Sequence, residues 1–165
     1  MTTTTRPEAT IEAHPDLPLV TITREFDAPP ELVYRAWAEP ELVKQWLGPR
    51  SVEMDIDVWD CRTGGSYRYA AVRDGEEIAR FFGSFHDARP GERLVQTFTW
   101  DGMPDAVSLE TMTFEPLEGG RCRIVGVSGV DSMEAQAGMM ASGMEVGIIE
   151  GYEKLDELLE RGLDS

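Results

Sequence analysis

Apolar side chains repeat at two different spacings along the chain, and the changes of spacing divide it into a strand-and-helix opening, a run of strands and a closing helix. The first regular stretch, Leu19 to Phe26, is β-branched and partly alternating, which predicts a strand. Asp27-Ala28-Pro29-Pro30 ends it and carries a helix-start signal. Leu32, Val33, Ala36 and Trp37 recur at helical spacing and predict a short amphipathic helix closed by Pro40. A second short helix, about Glu41 to Trp46, ends at Gly48-Pro49. Beyond Arg50 the period drops to two. Val52 to Trp59, Gly65 to Val72, Glu77 to His86, Arg93 to Trp100, Ala106 to Phe114 and Arg121 to Val130 predict six further strands. They are separated by turn residues such as Asp74-Gly75, Asp101-Gly102 and Gly119-Gly120, the pattern of an antiparallel meander rather than of βαβ units.

From Ser132 to Arg161 the helical period returns, with Met133, Met140, Met144, Ile148, Leu155 and Leu159 near one face, and predicts one long C-terminal helix. Asp131 is the expected N-cap, with Glu134 three residues on, and Gly162 the stop. Gly143, Gly147 and Gly151 form a stripe along it although each costs about 1 kcal/mol relative to Ala. Close approach of helix to sheet, a homodimer seam and room for a ligand all account for such a stripe. Glu145, Glu150, Glu153 and Lys154 exclude a membrane-spanning reading. Residues 1–18, rich in Thr and Pro and without period, are expected to be a flexible tail, and 19–165 a single domain.

Composition narrows the function by exclusion. The 165 residues carry 31 acidic against 15 Lys and Arg side chains, a net charge of −16, which repels nucleic acid and anionic membrane surfaces. No apolar run approaches membrane-spanning length and no secretory leader stands at the start, so a cytoplasmic protein is expected. Cys61 and Cys122 lack C-x-x-C spacing and nearby His, so neither a zinc site nor a disulfide framework is expected. No cofactor or metal motif is present: Gly64-Gly65 and Gly119-Gly120 do not open a helix that would receive a phosphate. Of two histidines, His14 falls in the tail and His86 ends a strand beside Asp87, as a surface residue or a weak acid/base candidate.

Five segments in order carry a resemblance: Ile22-Thr23-Arg24-Glu25-Phe26-Asp27-Ala28-Pro29, Val33-Tyr34-Arg35-Ala36-Trp37, Gln45-Trp46-Leu47-Gly48-Pro49, Asp60-Cys61-Arg62-Thr63-Gly64-Gly65-Ser66-Tyr67-Arg68 and Ser142-Gly143-Met144-Glu145-Val146-Gly147. Over about 19–161 the chain resembles the SRPBCC (START-like) superfamily, in particular bacterial proteins similar to the C-terminal domain of the activator of heat-shock protein 90 ATPase. The resemblance implies an α+β helix-grip (START/Bet v-like) fold. In it a curved antiparallel sheet of about seven strands wraps a long C-terminal helix, with two short helices after the first strand. It further implies binding of a small hydrophobic molecule in the cavity between sheet and helix. Its alternatives are a polyketide cyclase/aromatase-type enzyme and a module that modulates a chaperone ATPase. The eukaryotic activator engages the chaperone through a separate N-terminal domain, so a chaperone partner is the weaker expectation, and a binder is expected rather than an enzyme.

Period two and the resemblance together aim a set of aromatic residues inward. Tyr67 and Tyr69 share one face of their strand, Phe81 and Phe85 another, Phe98 and Trp100 a third. With Met112, and with Met140, Met144 and Ile148 above, they are the expected ligand-contacting wall, and Trp37 and Trp46 flank its helical end. Asp60, Arg62, Gly64 and Gly65 read as a structural turn. If Met112 and Phe114 point inward, Ser108 and Glu110 do as well, leaving a carboxylate in an apolar cleft. Tyr67 and Tyr69 are its expected partners, or Arg68 after a register slip. Its candidate roles are orienting a polar ligand group or serving as general base.

Overall fold

The computed structural model describes residues 8–164. Eight strands and four helices follow one another in an α+β chain: β1 Thr10–Ala13, β2 Leu19–Phe26, α1 Pro30–Ala38, α2 Pro40–Trp46, β3 Glu53–Trp59, β4 Ser66–Arg73, β5 Glu76–Arg89, β6 Arg93–Trp100, β7 Ser108–Leu117, β8 Arg121–Gly129, α3 Met133–Ala141 and α4 Met144–Arg161. The strands form one antiparallel sheet in the order β1-β2-β8-β7-β6-β5-β4-β3. All neighbours from β3 to β8 are therefore successive hairpins, as the meander pattern predicts. Asp74 and Gly75 both take positive φ, 54° and 79°, and make the tight β4–β5 turn. The order of elements is that of the expected helix-grip fold.

The expected tail is corrected in part. Thr10 to Ala13 form an eighth strand on the free edge of β2, with Thr10 opposite Thr23 and Ala13 opposite Val20. A Pro-containing turn hides this strand from a periodicity reading. His14 closes that turn, its Nδ1 accepting from the amides of Asp16 and Leu17 at 3.1 and 3.0 Å. Residues 1–7 of the same stretch lie outside the described residues.

The single long helix is also corrected. Gly143 adopts φ 82° and divides it into α3 and α4, a left-handed residue that helical periodicity does not register. Ser132, not Asp131, caps α3, its hydroxyl accepting from the Ala135 amide at 3.0 Å. Both short helices start with proline at the first turn without a side-chain cap. Asp27, the expected start signal, instead receives Arg121 at 2.8 Å.

The core lies between the concave sheet face and the helices. Phe26, Leu155 and Ile124 are at most 1% exposed, and Trp37, Phe26, Phe114 and Tyr152 meet edge to face or tilted at 5.5–6.3 Å between ring centres. One ion pair lies among them. Arg24 of β2, 4% exposed, donates two bonds of 2.8 and 2.6 Å to the Asp156 carboxylate on α4 and lies over the Phe26 ring. It fixes the C-terminal half of α4 to the sheet.

Candidate functional site

A cavity of about 310 Å³ opens under the N-terminal half of α4. Its floor is Tyr69 of β4, Phe81 of β5 and Phe98 of β6, with ring-centre separations of 5.2 and 5.3 Å. Met54 of β3 joins them. Its roof is Met144, Gly147, Ile148 and Tyr152, four residues of one face of α4. The side wall is Trp37, Trp46 and the loop Leu47-Gly48-Pro49.

Hydrogen bonds hold the indoles in place. Trp46 Nε1 donates to the Ala36 carbonyl at 2.9 Å, and Trp59 Nε1 to the Trp37 carbonyl at 3.1 Å, so β3 and both short helices are locked to one another. Each glycine of the stripe has its own task. Gly143 makes the left-handed break, Gly147 lines the cavity, and Gly151 lets α4 touch the loop, since a Cβ there would sit 3.1 Å from the Trp46 carbonyl oxygen. Close approach and cavity space therefore share the stripe.

Of the expected wall, Trp37, Trp46, Tyr69, Phe81, Phe98, Met144 and Ile148 come together at the cavity. The others do not. Tyr67 and Phe85 are 2% and 1% exposed and fill the core beside it. The Tyr67 hydroxyl donates to the Thr97 carbonyl across Gly83, where a Cβ would lie 2.7 Å from that hydroxyl. Trp100 is 45% exposed: it ends β6, and its ring folds over Gly102 in the turn beyond. Met112 packs against Gly126 on the sheet, and Met140 belongs to α3, on the far side of the Gly143 break. His86 does not end a strand. It sits exposed in a bulge within β5, between the paired Phe85 and Asp87.

Tyr152, Met54 and the loop Leu47-Gly48-Pro49 are lining residues that sequence reasoning missed. Tyr152 stands four residues after Ile148 and eight after Met144, so the helical face already singled out carries it. The Asp60–Arg62 segment is the structural turn expected: the two side chains pair at 2.8 Å, and a Cβ on Gly65 would meet the Asp60 carbonyl oxygen at 1.9 Å.

Glu110 does point inward, as parity requires, but its partners differ from those expected. The Ser108 hydroxyl donates to Oε1 at 2.8 Å and the Ser128 hydroxyl, directly across the β7–β8 ladder, donates to Oε2. Arg68 keeps to the outer face, over the Phe82 ring. Burial raises the Glu110 pKa against the lowering effect of the two hydroxyls. Glu110 does not line the cavity, but any charge it carries adds to burial in raising the phenols of Tyr67, Tyr69 and Tyr152. Burial likewise pushes the free thiols of Cys61 and Cys122 up to about 11. Among the described residues no cluster of His, Cys, Asp and Glu is placed to hold a metal ion, and no helix is long and apolar enough to cross a membrane.

The Activator of Hsp90 ATPase homolog 1-like protein model matches residues 27–160, an interval that spans α1 to α4 and the whole cavity. The chain belongs to that family. Solved structures agree with this START-like assignment. A protein from Rhodobacter sphaeroides is 27% identical, with a TM-score of 0.82 over 92% of this chain and 98% of its own. A protein from Arthrobacter aurescens is 26% identical, with a TM-score of 0.83 over 93% of this chain and 92% of its own. One from Mycobacterium smegmatis, 24% identical with a TM-score of 0.81 over 92% and 96% of the two chains, shares the fold. No curated protein matches. The family's helix-grip fold is one that typically holds hydrophobic ligands.

Proposed function

We propose that the chain binds a small hydrophobic molecule in the cavity between the sheet and the first turns of α4. One observation carries the reading: none of the 13 residues around the 310 Å³ space has a charged side chain. A ligand that buries about 200 Å² of apolar surface there gains about 5 kcal/mol, before the cost of association is subtracted. Met54, Met144 and Ile148 supply adaptable aliphatic walls, and the six lining aromatics Trp37, Trp46, Tyr69, Phe81, Phe98 and Tyr152 supply flat ones. Two free thiols, both protonated at neutral pH, fit a reducing, cytoplasmic setting.

Binding is favoured over cyclase-type chemistry because Glu110, the buried carboxylate, is not a lining residue and has both oxygens occupied by serine hydroxyls, and His86 is exposed. Equilibrium dialysis with 2-ethylnaphthalene tests the reading. Saturable uptake of one molecule per chain is expected, and its loss in Gly147→Leu, which fills the cavity from the roof. No saturable uptake, or uptake unchanged in a folded Gly147→Leu, overturns it.

A further inference from the structure

All four tyrosines of the chain are buried, yet they differ in how their hydroxyls are satisfied. Tyr67 donates to the Thr97 carbonyl and Tyr34 interacts with Cys61; both lie outside the cavity wall. Tyr69 and Tyr152 are each 6% exposed and form part of that wall, one from the sheet and one from α4. Neither hydroxyl makes a hydrogen bond to another described residue. Because no fully buried side-chain polar atom among the described residues lacks a partner, both of these hydroxyls keep some accessible surface, and both residues line the cavity. A buried phenol normally finds a hydrogen-bond partner, and its absence inside the protein leaves that place to what the cavity holds.

The charges nearby narrow the partner's chemistry. No Lys, Arg or His is among the lining residues, so an anionic ligand meets no counter-charge. Arg24, the buried cation on the Tyr152 side, already spends two bonds on Asp156. Any charge on Glu110, whose field reaches Tyr69, and the net charge of −16 act against an anion as well. The phenols themselves stay protonated, burial having raised them, and so present O–H donors at neutral pH.

Resting on the binding proposed above, we infer that the molecule held in the cavity is neutral and carries a hydrogen-bond acceptor of the ketone or ester carbonyl kind, received by the hydroxyls of Tyr69 and Tyr152. A carbonyl oxygen has two lone pairs and accepts from either hydroxyl or from both. At about 310 Å³ the space lies at the small end of ligand sites and suits a molecule of about two fused rings.

Three probes with one ring system separate the possibilities: 2-acetylnaphthalene, 2-ethylnaphthalene and 2-naphthoate, each measured by equilibrium dialysis against the full chain and against Tyr69→Phe, Tyr152→Phe and the double variant. In the double variant the ketone's affinity relative to the hydrocarbon is expected to fall about tenfold, the worth of roughly one to two hydrogen bonds. Hydrocarbon affinity stays level or rises. The naphthoate is expected to bind wild type at least about tenfold more weakly than the ketone, since an unpaired buried charge is costly. A ketone-to-hydrocarbon ratio that is the same in wild type and folded double variant overturns the inference, as does naphthoate binding as tight as the ketone. The wild-type comparison of ketone and naphthoate stands even if a variant fails to fold. If none of the three probes binds wild type, it is the apolar-cavity reading itself that falls.

Discussion

Gly147 and Gly151 occupy successive turns of the same helix, and replacing each by alanine separates two opposed effects. The gain is common to both: Ala over Gly in a helix interior is worth about 1 kcal/mol. The cost differs with what the new methyl meets. At Gly147 the nearest atom is Pro49 Cδ at 3.4 Å, on the margin of ordinary contact. At Gly151 it meets three backbone atoms, the Trp46 carbonyl oxygen at 3.1 Å and Gly48 N and O at 3.4 and 3.5 Å. That backbone cannot simply retreat, because the Trp46 side chain is 3% exposed, bonded to Ala36 and 4.6 Å from the Trp37 ring. Overpacking of this kind costs about 1–3 kcal/mol. Gly147→Ala is therefore expected to be stabilising by about 0.5–1 kcal/mol and Gly151→Ala destabilising by about 1 kcal/mol. The resulting gap of about 1.5–2 kcal/mol corresponds to about 3–8 °C in Tm for a chain of this size. Urea titration of both variants beside wild type measures it. Equal shifts in the two, or a Gly151→Ala protein more stable than wild type, would refute the argument that backbone clearance outweighs helix propensity at Gly151.

Asp156→Asn leaves the Arg24 guanidinium buried without its charge partner and is expected to cost about 3–5 kcal/mol by urea unfolding, whereas Arg24→Met with Asp156→Leu recovers most of that loss; a single-variant cost below about 1 kcal/mol contradicts the role given to the pair. Glu110 has a raised pKa in the folded chain, so its contribution is fully present below its ordinary value of 4.5 and is lost as pH rises through the raised one. The stability of Glu110→Gln relative to wild type should accordingly climb with pH from about 4.5 and then level off, and a difference that stays constant between about pH 4 and 8 rules this out.

Much of the fold is legible in the sequence because one-sided burial imposes a period. Six meander strands, two short helices between proline signals and the inward direction of Glu110 follow from it. The features that escape are those with no period. β1 is four residues long and partners a strand across a Pro-containing turn, so its pairing comes from the open edge of β2 rather than from its own pattern. Gly143 breaks a helix through one backbone angle while the side-chain pattern runs on across it. The site divides along the same line: rings near the middle of their strands, Tyr69, Phe81 and Phe98, reach the cavity, whereas Trp100 shares Phe98's parity but stands where the strand ends. Tyr67 and Tyr69 also share a face, and which of them fills space and which borders it depends on Gly83, whose missing side chain lets the Tyr67 hydroxyl reach Thr97. The loop Leu47-Gly48-Pro49 joins the wall only because Gly151 brings α4 down onto it.

The two halves of α4 answer to different constraints. Asp156, Leu155 and Leu158 secure its C-terminal half through the ion pair to Arg24 and through complete or near-complete burial, while Met144, Gly147 and Ile148 of the N-terminal half face the cavity. Substitutions at the latter positions alter what fits inside without touching the anchor. If the chain binds as proposed, its descendants can exchange one small molecule for another over generations while the skeleton stays under unchanged selection. Divergence in what is bound then outpaces divergence in fold.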